Sequence, residues 1–324
     1  MTQGDLLGWG ASPDPVGRRR NVRIGLCSWS DPSLIQSKAF YPRGTGSAEG
    51  RLRFYALKFP VVEVDSSFYA MPDPANSVTW VERTPNNFRF NIKAFRLLTG
   101  HQTPPAVFHP DIAAALPPLK PGKRNHYLAD LPAEIVDEVW RRFILAVAPL
   151  KEANKLLAVH FQFAPWVTNT AVWRAHVEDC VHRMAGHLVA IEFRNVSWFG
   201  EQQAADTLAW LREMRAVHTI VDEPQGVGNY AQGIWEVTHP DLAVVRLHGR
   251  NAETWDKPGL AVSSDRFNYE YADTELDELT SRIDSIVDQA LDVVVLLNVN
   301  HEDQGVRAAL ALERRQKRLM ERMT

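Results

Sequence analysis

The feature that most constrains this chain is an alternation repeated along its length: a short apolar, β-branched run, then a longer segment with helical spacing. The runs fall at 22–28, 60–66, 88–94, 156–163, 188–194, 217–222, 242–248 and 292–299. Helical patterns fit 49–59, 78–83, 132–151, 170–185, 204–214, 274–290 and 305–323, with Asp273 or Thr274 as the expected N-cap of the penultimate helix. Such alternation is the pattern of βα units around a parallel sheet. Right-handed βαβ units repeated eight times close on themselves, so the expected fold is a (β/α)₈ TIM barrel of the α/β class. At 324 residues the chain is long for a single core, since cores usually stop growing near roughly 250–300 residues, but a barrel with insertions is the common exception. The expected organisation is a flexible tail over 1–21, rich in Gly, Pro and Arg, followed by one domain over 22–324.

Two segments break the rhythm. After the third run, residues 97–131 carry Pro104, Pro105, Pro110, Pro117, Pro118 and Pro121, a long Pro-rich insertion of a length that usually signals function or mobility. Residues 223–241 read as a loop, with Gly226, Gly228 and Gly233 around Tyr230 and Trp235.

Side chains alternate across a strand, and a buried parallel strand should read apolar on both faces. Here one face is repeatedly polar near its C-terminal end: Glu63 and Asp65, Asn91 and Lys93, His160 and Gln162, Glu192 and Arg194, Asp222, Arg246 and His248, Asn298 and Asn300. Burying unpaired charge costs several kcal/mol or more, and polar residues at these strand ends of a barrel read as catalytic or binding. The competing reading is a self-satisfied network of ion pairs that locks the barrel shut. Asp65 and Gln162 are the members best suited to a supporting role.

Aromatic residues follow the same ends: Trp29, Phe68, Tyr69, Trp166, Trp198 and Trp255. Flat side chains suit a sugar ring or a nucleobase, although large residues also simply fill loop tops. Lys93, Arg96, Arg194, Arg246 and Arg250, with His101 and His248, point to an anionic ligand, because arginine forks recognise carboxylate or phosphate. Pairing with Glu63, Glu192 and Asp222 competes for the same cations. Glu192, Asp222 and His248 sit at three successive strand ends and form an oxygen-and-imidazole set suited to Mn²⁺, Mg²⁺ or Zn²⁺. Arg194 and Arg246 on the same faces oppose a cation there.

Composition excludes more than it assigns. A net charge of −3 argues against a sequence-independent nucleic-acid binder. Two cysteines, Cys27 and Cys180, make no disulfide framework and fit a reducing cytoplasm, the expected location. No apolar run approaches a membrane span, and Arg18, Arg19 and Arg20 lack the apolar stretch of a twin-arginine signal. The basic run Arg314–Arg315–Gln316–Lys317–Arg318 reads as a solvated helix face.

The sequence resembles the YecE-like family, domain of unknown function 72. The resemblance rests on Ile24-Gly25 through Trp29, Val62 through Tyr69 with Pro72, Trp80 with Arg83-Thr84-Pro85, and Phe88 through Lys93. It continues in Ala190 through Asn195 with Ser197-Trp198, Val221-Asp222 with Pro224, and Val245 through Asn251. It implies a (β/α)₈ barrel and supplies no activity. Departures are the Pro-rich stretch 102–131, Gln162-Phe163-Ala164-Pro165 where the family has Gln-Leu-Pro-Pro, and Asn298-Val299-Asn300-His301 at the last strand.

The expected function is an enzyme acting on an anionic sugar-, nucleotide- or phosphate-containing substrate. Glu63 and Glu192 would be general acid/base groups and His248 a proton shuttle. Trp29, Tyr69, Lys93, His101, Arg194, Trp198, Asp222, Arg246, Arg250, Asn298 and Asn300 would bind substrate. The alternatives are a metal-dependent nucleic-acid phosphodiesterase using Glu192, Asp222 and His248, and a ligand-binding protein without catalysis. The oligomeric state is not written in the sequence.

Overall fold

In a computed structural model, which describes residues 21–224, 233–255 and 267–323, eight parallel strands close in sequence order into a barrel. They are β1 (Asn21–Cys27), β2 (Val61–Val64), β3 (Arg89–Lys93), β4 (Leu156–Gln162), β5 (Val189–Glu192), β6 (Val217–Asp222), β7 (Leu242–Leu247) and β8 (Asp292–Leu297). The expectations for the tail, for the Arg18–Arg20 run and for Gly226, Gly228 and Tyr230 fall outside the described residues. Among the described residues no helix is long and apolar enough to cross a membrane. Both cysteines are free and buried.

The helices bury one stripe each. In the helix Ala133–Glu152 the buried residues are Val139, Trp140, Phe143, Ala146, Val147 and Leu150, a spacing of three and four that puts them on one face. Lys155, itself buried, donates to the carbonyls of Val81 and Thr84 at 2.8 and 2.7 Å and so closes the C-terminal end of the helix Pro74–Glu82. That helix starts ahead of the expected 78, because Asp73 accepts from the Ala75 N–H and Pro74 fits the first turn. The penultimate helix, Asp273–Val287, is capped at Ala272, whose N–H donates to the Glu275 carboxylate at 2.8 Å. Asp273 instead pairs with Arg315 at 2.7 Å, so the basic C-terminal run is partly an inter-helix clamp.

The insertion after β3 is built rather than loose. It contains 3₁₀ turns at Arg96–Thr99, Pro105–Val107 and Leu128–Asp130 and a helix at Pro110–Ala115. Phe108 and Ile112 are buried, and Thr103 and His126 form an antiparallel bridge.

The β1–β2 seam is short, with registered pairs only at Leu26–Val62 and Cys27–Glu63. Tyr55, fully buried, patches it: its hydroxyl accepts from the Leu26 N–H at 2.8 Å and donates to the Val61 carbonyl at 2.9 Å. The strands approach so closely here that a Cβ on Gly25 would lie 2.1 Å from the Val61 oxygen. Only glycine fits.

Period two then sorts the barrel interior by height. Val61, Ala158, Ala190, Val217, Val244 and Leu296 belong to an apolar cluster separate from the helix-facing core. Two residues further along the same faces stand Glu63, His160, Glu192, Thr219, Arg246 and Asn298. The lower interior is hydrocarbon and the upper interior is charged.

Candidate functional site

At the C-terminal end of the strands the charged residues form two layers. The lower layer is a sealed lattice. Arg246 on β7, without solvent exposure, donates across the barrel to Glu63 on β2 and to Glu192 on β5, both at 2.6 Å. Asn91 donates to the second oxygen of Glu63 at 2.7 Å. His160 Nδ1 lies 3.0 Å from the same oxygen, with Nε2 3.4 Å from Glu192. Burial alone would push both carboxyls up. The Arg246 guanidinium and the neighbouring histidines outweigh it and hold Glu63 and Glu192 well below the usual carboxylate range. At Cys27, the register partner of Glu63, burial and then the Glu63 charge push the thiol up.

The upper layer opens into a cavity of about 270 Å³ lined by Lys93, Arg96, Arg194, Asp65, His101 and His248, among others. Gln162, Asn298, Asn300, Tyr69, Phe68 and Phe267 complete its polar and aromatic wall. The lattice aims several of these groups. Glu192 Oε1 accepts from Gln162 at 2.6 Å and from Arg194 at 3.0 Å. Arg194 also lies 3.3 Å from Glu223, a buried carboxyl pushed up to about 7 by its burial. Lys93 sits over the Phe68 ring at 4.6 Å, and Arg96 at 5.4 Å.

His101 reports the field in this cavity. Burial first, and then Lys93, Arg96 and Arg194, bring its pKa down to about 3, so it is neutral at physiological pH. His248 is likewise lowered to about 4, by burial and then by Arg246 and Arg194 against the opposing pull of Glu192. The Asn298 amide nitrogen can only donate, so His248 Nδ1, 2.8 Å away, accepts and the proton sits on Nε2. That Nε2 is 3.6 Å from Glu192, too far for a good hydrogen bond. Asp65 lies 3.3 Å from Lys93 and is pushed up by burial and by Glu63, against the pull of Lys93.

The cavity thus gathers Tyr69, Lys93, His101, Arg194, His248, Asn298 and Asn300 from the expected set. Glu63, Glu192 and Arg246 lie beneath it, sealed and paired with one another. Asp222 and Arg250 stand to one side: Arg250 holds Asp222 through contacts of 2.7 and 3.1 Å, and Tyr271 donates to Asp222 at 2.8 Å. Trp198 is fully buried, stacked on Phe193 at 3.8 Å with its indole N–H donating to the Val167 carbonyl. Trp29 packs edge-on against Trp80 at 5.9 Å, and Trp255 lies under the Arg194 guanidinium at 5.3 Å. None of these three lines the cavity.

The suggested metal set does not come together. Among the described residues no three His, Cys, Asp or Glu side chains converge so as to hold a metal ion. Glu192 is turned to Arg246 and Arg194, and Asp222 to Arg250, so cations of the chain already occupy the oxygens a metal would need. Sequence reasoning missed Phe267, Glu223 and Tyr271. The adjacency of Glu223 to Asp222 at the end of β6 was the available signal for one of them.

A family model described as "Protein of unknown function DUF72" matches residues 23–323. The chain belongs to this DUF72 family. The UPF0759 protein YunF of Bacillus subtilis (strain 168) is 32% identical over 281 residues, covering 86% of this chain and 89% of the relative. The crystal structure of a DUF72 family protein from Enterococcus faecalis V583 is similar with a TM-score of 0.73 at 26% identity, covering 91% of this chain and 95% of the other. One from Thermotoga maritima MSB8 gives a TM-score of 0.68 at 22% identity, covering 92% and 99%, a likeness of fold. The DUF72 relatives thus share the barrel that carries the two-layered site.

Proposed function

We propose that this DUF72 protein is an enzyme acting on a small anionic substrate, one bearing a phosphate or carboxylate, at the C-terminal face of the barrel. The observation that carries this reading is the convergence of Lys93, Arg96 and Arg194 on one cavity where, among the described residues, Asp65 is the single lining carboxylate. An anion there would meet charge-assisted donors on one side and the neutral amides of Gln162 and Asn298 on the other.

The roles differ from those the strand pattern suggested. Glu63 and Glu192 hold their charges through buried ion pairs, so Glu192 acts by positioning Arg194 and Gln162 and Glu63 by holding Arg246. Proton transfer passes to Asp65, the carboxyl that burial raises beside Lys93.

Calorimetric titration with inorganic phosphate and with simple carboxylates tests the binding half. Arg194→Gln is expected to weaken it about tenfold or more, the loss of one charge-assisted bond. Turnover is then sought on a panel of phosphate esters and sugar acids with wild type and Asp65→Asn. Failure of any anion to bind to folded protein, or activity retained in Asp65→Asn, overturns the corresponding half.

A further inference from the structure

Beside the anion cavity lies a second cavity that the proposed chemistry does not use. Its volume is about 500 Å³, and it is walled by Tyr127, Leu128 and Ala129 of the insertion and by Gly100, Trp166, Val172, Trp173 and His176. Tyr127, Trp166 and Val172, at 39%, 48% and 78% exposure, are exposed large apolar residues that share this one concavity. Exposed apolar surface gathered in one concavity marks a binding site more often than scattered surface does.

The wall is built to keep this space open. Trp166 is fixed by an indole N–H donated to the Gly100 carbonyl at 3.0 Å. Gly100 has φ +79°, and a Cβ there would meet Val167 at 2.9 Å and Trp173 at 3.0 Å. The insertion side is tied by the Thr103–His126 bridge and by Asp130, which accepts from the Tyr127 N–H at 2.9 Å.

The two cavities share a partition. Gly100 lines one and His101 the other; Pro165 lines the anion cavity and Trp166 the apolar one. The rings of His101 and Trp166 are in edge contact, 5.7 Å between centroids. A ligand reaching over this partition would place its charge among Lys93, Arg96 and Arg194 and its other end among flat side chains. The Trp166 Nε1 and the His176 Nε2 are already engaged, the latter with the Leu98 carbonyl at 2.8 Å. The wall is predominantly apolar, so the cavity offers chiefly rings to stack on.

We propose that this cavity is a substrate subsite for an apolar aryl group, so that the ligand class is an aryl group joined by a short link to an anionic head. This rests on the anion-pocket reading above and narrows it, favouring an aryl anion over a nucleotide or a simple sugar phosphate.

The test uses non-hydrolysable probes: methylphosphonate, (2-naphthylmethyl)phosphonate and 2-naphthylmethanol, titrated calorimetrically against the full chain. The naphthyl phosphonate is expected to bind about 30-fold more tightly than methylphosphonate, as burial of a ring system predicts. Val172→Asp, at a surface position that leaves the core untouched, is expected to remove most of that gain while methylphosphonate binding stays as in wild type; Tyr127→Ala should act in the same direction. Equal affinity for the two phosphonates, or a gain that survives both substitutions, overturns the subsite and leaves the anion pocket standing. Naphthylmethanol binding as tightly as the naphthyl phosphonate also overturns it, because the charge would then contribute nothing. If no phosphonate binds, the anion-pocket reading fails first and the subsite falls with it.

Discussion

Replacing Arg246 by Met tests the lower layer of the site most directly. The guanidinium is fully buried and lies 2.6 Å from both Glu63 and Glu192. Removing one partner of a buried ion pair ordinarily costs about 3–5 kcal/mol, chiefly because the remaining charge is left uncompensated. Here two carboxylates lose their shared cation. Glu192 keeps Arg194 and Gln162, whereas Glu63 keeps only the Asn91 amide and His160. A loss of about 4 kcal/mol is therefore expected at pH 7, carried mainly by Glu63. With an unfolding entropy near 2.1 cal/mol/K per residue, that lowers the melting temperature by roughly 6 °C. The pH dependence separates this cause from simple loss of packing. In the wild type both carboxyls lie below their unfolded values, so their stabilisation is present above the ordinary carboxylate range and is lost as pH falls through the folded pKa. In the variant the stranded carboxyls move upward instead, so protonation relieves the penalty on the way from pH 7 to pH 5. The stability gap should narrow by up to about 1.4 kcal/mol per pH unit for each carboxyl that titrates. Thermal and urea unfolding of the two proteins at pH 7, 6 and 5 measure it. A gap below about 1 kcal/mol at pH 7, or one that widens toward pH 5, would refute the idea that Arg246 neutralises two buried carboxylates.

Other expectations follow from single contacts. Tyr55→Phe leaves the Leu26 N–H and the Val61 carbonyl without the hydroxyl that serves both; a cost of about 2–4 kcal/mol is expected by urea unfolding. Arg96→Gln is expected to weaken phosphate binding about five- to tenfold while the melting temperature stays within about 1 °C, because Arg96 touches the cavity wall over Phe68 rather than the lattice. His101, with a pKa near 3, should show a neutral imidazole by NMR throughout pH 5–8, and bound phosphate should move its titration upward. Because that pKa is depressed, His101 contributes stability that is present above about pH 6.5 and declines toward pH 3. A His101 signal that titrates with the free-histidine value would mean the three cations do not converge on it.

The barrel was legible because its signal is repeated: eight apolar runs separated by helical segments leave few alternatives. The polar faces were legible for the same reason, since period two assigns Glu63, Arg246 and Glu192 to the interior without any coordinates. Period two does not report height along the barrel axis. Glu192 and Arg194 look equivalent in the sequence, yet one is sealed in the lattice and the other reaches the cavity. The aromatics show the same limit. Trp166 and Trp198 both follow strand ends, but Trp198 turns inward to stack on Phe193 while Trp166 is pinned outward by the Gly100 carbonyl. The insertion read only as a long Pro-rich stretch because its order comes from tertiary contacts of Phe108 and Ile112 and from a bridge between Thr103 and His126. None of these has a local signature.

The cross-barrel span of Arg246 also bears on how the molecule can assemble. Glu63 belongs to the first four strands while Arg246 belongs to the last four. A first half formed alone would leave Glu63 with Asn91 and His160 but without its arginine. A second half alone would keep Arg246 paired with Glu192 on β5. Only the first half waits for its counter-ion. Refolding should therefore pass through no long-lived species closed over the first four strands alone, and that half, expressed as a separate chain, should gain stability on meeting the second.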